Sequence, residues 1–125
     1  MASDYRDLIA WQKAMDLVTE IYEATRRFPD TERYGLVSQM RRAAVSIPSN
    51  IAEGFGRRNR PEFQRFVRNA RGSACELETQ VEISVRLEFL DDKSADGMAE
   101  RIGELLRILN GLHSSLERPR SGSDS

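Results

Sequence analysis

A chain of 125 residues with 39% hydrophobic and 31% charged content has the size and composition of one globular domain, not of a disordered or fibrous chain. No run nears the roughly 18 consecutive apolar residues of a membrane span, and the opening Met-Ala-Ser-Asp-Tyr-Arg-Asp lacks the basic-then-apolar order of a signal peptide, so a cytoplasmic protein without a membrane partner is expected. A single cysteine, Cys75, and a single histidine, His113, exclude a disulfide scaffold and a four-ligand structural zinc, while a formal net charge of −1 by itself points to no partner.

The first periodic run is Leu8, Trp11, Met15, Val18, Tyr22 and Thr25, flanked by Ala14, Ile21 and Phe28. Spacings of three and four predict a helix of about 22 residues, about 33 Å long at 1.5 Å per residue. Phe28-Pro29-Asp30 ends it, because the residue before proline disfavours the helical region. A second run, Leu36, Met40, Ala43, Ile47, Ile51 and Phe55, carries Gly54 and Gly56 at its far end as candidates for a left-handed stop. Pro48 lies inside it and predicts a helix bent or split near residues 44–48, since proline removes a donor and clashes with the preceding turn.

Asn59 and Glu62 have the spacing of a capping box, with Pro61 tolerated in the first turn. Behind them Phe63, Phe66, Val67, Ala70, Ala74, Leu77 and Val81 predict a third helix, continuing through Val85 and Leu87 to about Leu90. Asp91, Asp92 and Ser94 offer capping oxygens to a fourth, whose seam is Met98, Ile102, Leu105, Leu109, Leu112 and Leu116. Gly97, Gly103 and Gly111 interrupt that helix as weak points or close-packing sites. No alternating strand pattern competes. The expectation is therefore an all-α, up-down-up-down antiparallel four-helix bundle, with helix two kinked at Pro48. It spans residues 1–117, and residues 118–125 form a mobile tail with nothing to bury.

The side chains of catalysis do not cluster along this chain. His113 lies far in sequence from any grouped acid or serine and reads as a surface or helix-end imidazole. Cys75, beside the third seam, reads as a small packing thiol. Glu78 with Glu82, and Glu100 with Glu104, lack the Glu-x-x-His pairs of bundle di-metal sites. Gly54-Phe55-Gly56 runs into Arg57-Arg58-Asn59, not into the end of a phosphate-binding loop. No catalytic, cofactor-binding or metal-binding residue is expected, and the chain reads as a non-enzyme.

The charge distribution is more telling than the total. Residues 1–40 hold 5 Lys+Arg against 7 Asp+Glu, residues 41–71 hold 8 against 2, and residues 72–125 hold 6 against 11. The middle segment is thus +6, and all its cations are arginine: Arg41, Arg42, Arg57, Arg58, Arg60, Arg65, Arg68 and Arg71. Gln39, Arg42, Ser46, Asn50 and Glu53 form one polar stripe at helical spacing, and Arg41 flanks the seam's other side. Arginines at the start of helix three oppose its dipole unless an anion sits there.

Two readings follow from these charges. In one, the arginines receive the phosphates of RNA or DNA. Phe55, Phe63 and Phe66 fit the core better than a stacking platform, so contact with backbone and shape is expected rather than sequence reading. In the other, the acidic surplus of residues 72–125 neutralises the arginines within one bundle or between subunits, and the protein is a self-assembly or protein-partner module.

The run Tyr34-Gly35-Leu36, Ser38-Gln39, Arg41-Arg42-Ala43, Ser46-Ile47 and Asn50-Ile51-Ala52-Glu53-Gly54, then Gly56-Arg57, resembles a known signature. It is that of the four-helix-bundle family encoded in intervening sequences of bacterial large-subunit ribosomal RNA genes. Trp11-Gln12-Lys13-Ala14, Glu62-Phe63, Phe66, Gly72-Ser73 and Glu76-Leu77-Glu78-Thr79 extend the likeness over all but the tail. The resemblance implies a short antiparallel bundle assembled as a ring of identical subunits, most often a pentamer, without known catalytic activity. At the level of fold it also resembles the accessory variability protein of diversity-generating retroelements, which binds nucleic acid and a reverse transcriptase. Asn69 replaces a usual aliphatic residue, Glu88-Phe89 replaces a common Gly-Tyr, and Arg118 to Ser125 have no counterpart.

The matching polar positions Gln39, Arg41, Arg42, Ser46, Asn50, Glu53 and Arg57 carry over as a functional surface. The competing structural role is that Ser46, Asn50 and Glu53 brace the bend at Pro48 and that Gly72-Ser73 admits a close neighbour. Trp11 and Tyr34 read as buried packing residues, the tyrosine hydroxyl needing a partner.

Overall fold

The computed structural model describes residues 2–117, and the tail expected at residues 118–125 lies outside them. The described residues form four α-helices and no strand: α1 (Ile9–Thr25), α2 (Leu36–Gly56), α3 (Arg60–Arg86) and α4 (Asp92–Glu117). Short 3₁₀ turns at Tyr5–Asp7 and Asp30–Glu32 precede α1 and α2. None of these helices is long and apolar enough to cross a membrane.

Each helix packs on its neighbours in sequence, and α4 returns to α1, which encloses one core as a helical bundle. Cross-helix contacts fix the register. Met40 meets Ser84 and Ser46 meets Ser73 between α2 and α3. Between α3 and α4, Arg60 reaches Ser115 and Arg71 reaches Asn110.

The face of α1 turned to the core is Ala10, Ala14, Leu17, Ile21 and Ala24, all buried. This corrects the expected seam, which is rotated by about one position: Met15 and Tyr22 are each 38% exposed, and Trp11 and Val18 are half-buried. Three alanines hid the true stripe, because alanine is a weak apolar signal yet lets helices approach closely. Trp11 stands edge-on to Tyr5, with ring centroids 5.4 Å apart. Tyr34 is not buried but 87% exposed, with the Arg33 guanidinium 5.9 Å from its ring centroid.

The helix ends obey local chemistry. α1 stops at Thr25, before Phe28, whose buried ring packs 5.5 Å from that of Phe89. Asn59 Oδ1 accepts the Glu62 amide at 2.9 Å, as the capping spacing predicts, while the Glu62 side chain turns to Arg65. α3 ends at Arg86, short of Leu90, where Glu88 takes a φ of 64° and redirects the chain. Asp91 then caps the next helix, accepting from the Ser94 amide at 2.7 Å and the Ser94 hydroxyl at 3.1 Å.

The α2 helix runs unbroken through buried Pro48, so the chain is not split there. Proline gives the Ala44 carbonyl no amide partner. Around that gap the Ser46 hydroxyl reaches the Ala43 carbonyl at 2.9 Å, and Asn50 Nδ2 donates to the Ser46 carbonyl at 2.7 Å. Neither Gly54 nor Gly56 is left-handed; that conformation falls to Arg58, at a φ of 55°. Gly54 serves close approach instead, since a Cβ there would lie 2.6 Å from Phe66 Cβ and 3.0 Å from Phe63 Cδ1. Gly97 and Gly103 face only their own arginine side chains, and Gly111 has nothing within 4 Å, so none admits another helix.

Gly54→Ala is therefore expected to destabilise the bundle by about 1–3 kcal/mol through overpacking, despite the better helix propensity of alanine. Gly111→Ala should raise stability by up to about 1 kcal/mol. Urea unfolding followed by circular dichroism measures both.

Candidate functional site

The polar stripe of α2 lies along its groove with α3. Gln39, Arg42, Ala43 and Ser46 share a cavity of about 280 Å³ with Glu76 of α3. The Ser46 and Ser73 hydroxyls are hydrogen-bonded across the groove and tie its walls together. Arg42 donates to Ser38 Oγ at 3.1 Å, which holds its guanidinium along the helix.

Farther along the same groove, Arg57 and Arg65 bracket Phe66, their guanidinium carbons 5.0 and 4.5 Å from its ring centroid. Each also pairs locally, Arg57 with Glu53 and Arg65 with Glu62, both at 2.9 Å. The Arg65 hydrogen bond, aided by the charges of Arg65 and Arg57, holds the Glu62 carboxyl below its ordinary range.

The other arginines diverge from this groove. Arg41 turns to α1, donating to Thr25 Oγ1 at 2.9 Å and covering the Tyr22 ring at 4.5 Å. Arg60 and Arg71 lean on α4, through the Ser115 carbonyl at 2.7 Å and Asn110 Oδ1 at 3.0 Å. Arg58 is exposed at the α2–α3 corner and Arg68 is exposed on α3. The eight arginines thus surround the α2–α3 half of the bundle rather than forming one sheet of charge.

Internal neutralisation by the acidic C-terminal half is not the dominant pattern. Arg41, Arg42, Arg58, Arg68 and Arg71 pair with no carboxylate among the described residues. Acids of the C-terminal half pair instead with Lys13, at 3.4 Å from Glu104, and with Arg86, at 3.1 Å from Glu82. Arg101 is held by Glu20 of α1, with Nε 2.6 Å from Oε1.

Several residues take places that spacing did not indicate. Glu76 joins Arg42 at the cavity; its position three after Ser73 was the available signal, but only pairing with α2 gives that spacing meaning. Cys75 is exposed, not packed. Gly72 is exposed with nothing within 4 Å, so no helix of the same chain closes on it. His113 is half-buried, its Nε2 enclosed without a hydrogen-bond partner, and its backbone carbonyl accepts from Gln64 at 3.3 Å. Among the described residues, no group of three or more His, Cys, Asp or Glu is placed to hold a metal ion.

The family model for the 23S rRNA-intervening sequence protein matches residues 6–111, which includes α1 to α3, most of α4 and every candidate arginine. The chain belongs to this family. A solved structure similar to it is that of a protein of unknown function from the S23 ribosomal protein family of Bacteroides thetaiotaomicron. The two share 19% identity and a TM-score of 0.78, over 85% of this chain and 96% of the other, a likeness that extends to the fold. No curated protein matches the sequence. The intervening sequence family therefore supplies the fold, and no catalytic family is indicated.

Two carboxyls, one pairing and one capping, contribute to the acid response of this family member. Glu62 is lowered first by its Arg65 bond, and Asp91 by the Ser94 amide and hydroxyl. A carboxyl lowered on folding stabilises above its unfolded pKa, and that stability disappears as pH falls through the folded value. Below about pH 4, Asp91→Asn and Glu62→Gln should each lose stability less steeply with acid than the parent, measured by urea midpoints across pH.

Proposed function

We propose that this chain is a non-enzymatic, up-down-up-down antiparallel bundle, bent at Pro48, that binds RNA or DNA backbone through the arginines of α2 and α3. The observation that carries this reading is the set Arg41, Arg42, Arg58, Arg68 and Arg71, cations without a carboxylate partner among the described residues. Exposed guanidinium groups bind phosphate by charge and by directed hydrogen bonds, and release condensed counterions on doing so. The acidic halves on either side keep overall charge near neutral while the local field stays positive.

Assembly amplifies the effect. A ring of identical subunits, the pentamer implied by the resemblance, repeats each weak patch and converts later contacts into intramolecular ones. An apolar flank between α1 and α2 supports a second reading, a self-assembly module. There Trp11, Met15, Val18, Val45, Pro48 and Ala52 line an open cavity of about 330 Å³. In that reading the arginines pair with acids of neighbouring subunits.

Filter binding at two salt concentrations tests the first reading: affinity should fall as salt rises. Arg58→Ala with Arg68→Ala should weaken binding to every sequence and reduce the salt slope by about 1 for each lost phosphate contact. Unchanged affinity removes both from the surface. If the assembly reading holds instead, light scattering should record a ring whose mass falls as salt rises.

A further inference from the structure

Arg42 and Glu76 line the same α2–α3 cavity, carry opposite charges, and form no ion pair with one another. Arg42 is tethered through one nitrogen to the Ser38 hydroxyl, which leaves the rest of its donor fork open. Glu76 has no cationic partner among the described residues; its nearest polar support is Gln80 Nε2, 3.5 Å from Oε2. Gln80 is itself buried, 4% exposed, and its Oε1 has no hydrogen-bond partner. The cavity between these groups is small, about 280 Å³, and is tied at Ser46 and Ser73. Such a volume is just below the usual range of ligand pockets, roughly 300–1,000 Å³, and leaves room for no more than one small ring system.

An occupant has to offer acceptors to a guanidinium and donors to a carboxylate within the span of one small ring system. Among the nucleobases, guanine presents O6 and N7 as an acceptor pair on one edge and the N1–H and N2–H donors on the next. Adenine places the N1 acceptor where Glu76 needs a donor, and uracil sets its one N–H donor between two carbonyl oxygens. Cytosine has a single donor group beside an acceptor nitrogen. A base in this cavity has to leave its stack, which restricts the partner to an unpaired nucleotide.

We propose that the α2–α3 cavity receives an unpaired guanine of a single-stranded nucleic acid, with Glu76 accepting from N1–H and N2–H and Arg42 donating to O6 and N7. Phosphates farther along the strand, not those flanking the base, then meet Arg65 and Arg57, which lie about 16 and 22 Å along their helices from Glu76 and Arg42. This proposal rests on the nucleic-acid reading and adds base preference to a surface that otherwise attracts backbone alone.

Fluorescence anisotropy with labelled oligouridylates of about 12 nucleotides tests it. Each carries one central substitution: guanosine, inosine, 7-deazaguanosine or adenosine. Guanosine should bind roughly 10-fold or more tighter than adenosine, with inosine, which lacks the N2 amine, and 7-deazaguanosine, which lacks the N7 acceptor, in between. Glu76→Gln should bring the ratio of guanosine to adenosine affinities close to one, with circular dichroism verifying that this surface variant is folded. Equal, salt-sensitive affinity for all four oligonucleotides overturns the guanine pocket and leaves backbone binding intact. Absence of binding to all of them at low salt overturns the nucleic-acid reading and the pocket with it.

Discussion

The approach of α2 to α3 at Gly54 and Phe66 is the constraint from which the site follows. With no Cβ on Gly54, the Phe66 side chain seats directly on the α2 backbone, and a methyl group would stand 2.6 Å from its Cβ. That contact sets the register of the two helices. Ser46 then falls opposite Ser73, and Arg42 comes to share a cavity with Glu76. The same ring gives Arg57 and Arg65 an aromatic surface to lie on. A packing requirement in the core thus dictates where charge appears outside.

The electrostatics are divided by distance along the chain. Glu53 and Glu62 pair with arginines three or four residues away, and exposed pairs of this kind contribute little to stability, typically below about 1 kcal/mol. Their effect is positional, since each holds a guanidinium against Phe66. Acids of the C-terminal half are engaged elsewhere: Glu104 with Lys13 and Glu82 with Arg86. Arg41, Arg42, Arg58, Arg68 and Arg71 accordingly keep their charge without a carboxylate partner among the described residues.

Four helices, their order and most of their ends are legible in the sequence, because heptad spacing, the Asn59 cap and the Asp91 cap are local signals. Rotation of α1 was not legible, because Ala10, Ala14 and Ala24 carry little apolar weight while Met15 and Tyr22 carry much on the flank. The unbroken course of α2 through Pro48 depends on packing that overrides a local preference. Half of the candidate site was readable, namely the stripe from Gln39 to Glu53. Its opposite wall was not, because the juxtaposition of Arg42 and Glu76 across one cavity spans two helices and no local pattern encodes it. Cys75 lies outside for a related reason, since a small residue beside a seam is placed by helix rotation, which spacing fixes only to within one position, whereas Tyr34 sits in the turn before α2, where no helical spacing applies.

The α2–α3 junction places its residues against backbone preference. Gly56 stands within a helix, where it forfeits order that alanine would keep, and Arg58 takes the left-handed conformation that glycine adopts freely. Holding a side chain in that region costs of order 1 kcal/mol. The bend between the two helices is accordingly under tension, with a long cationic side chain as its outermost part. Glycine at position 58 would carry none of that cost, so the fold holds this corner at the expense of backbone ease.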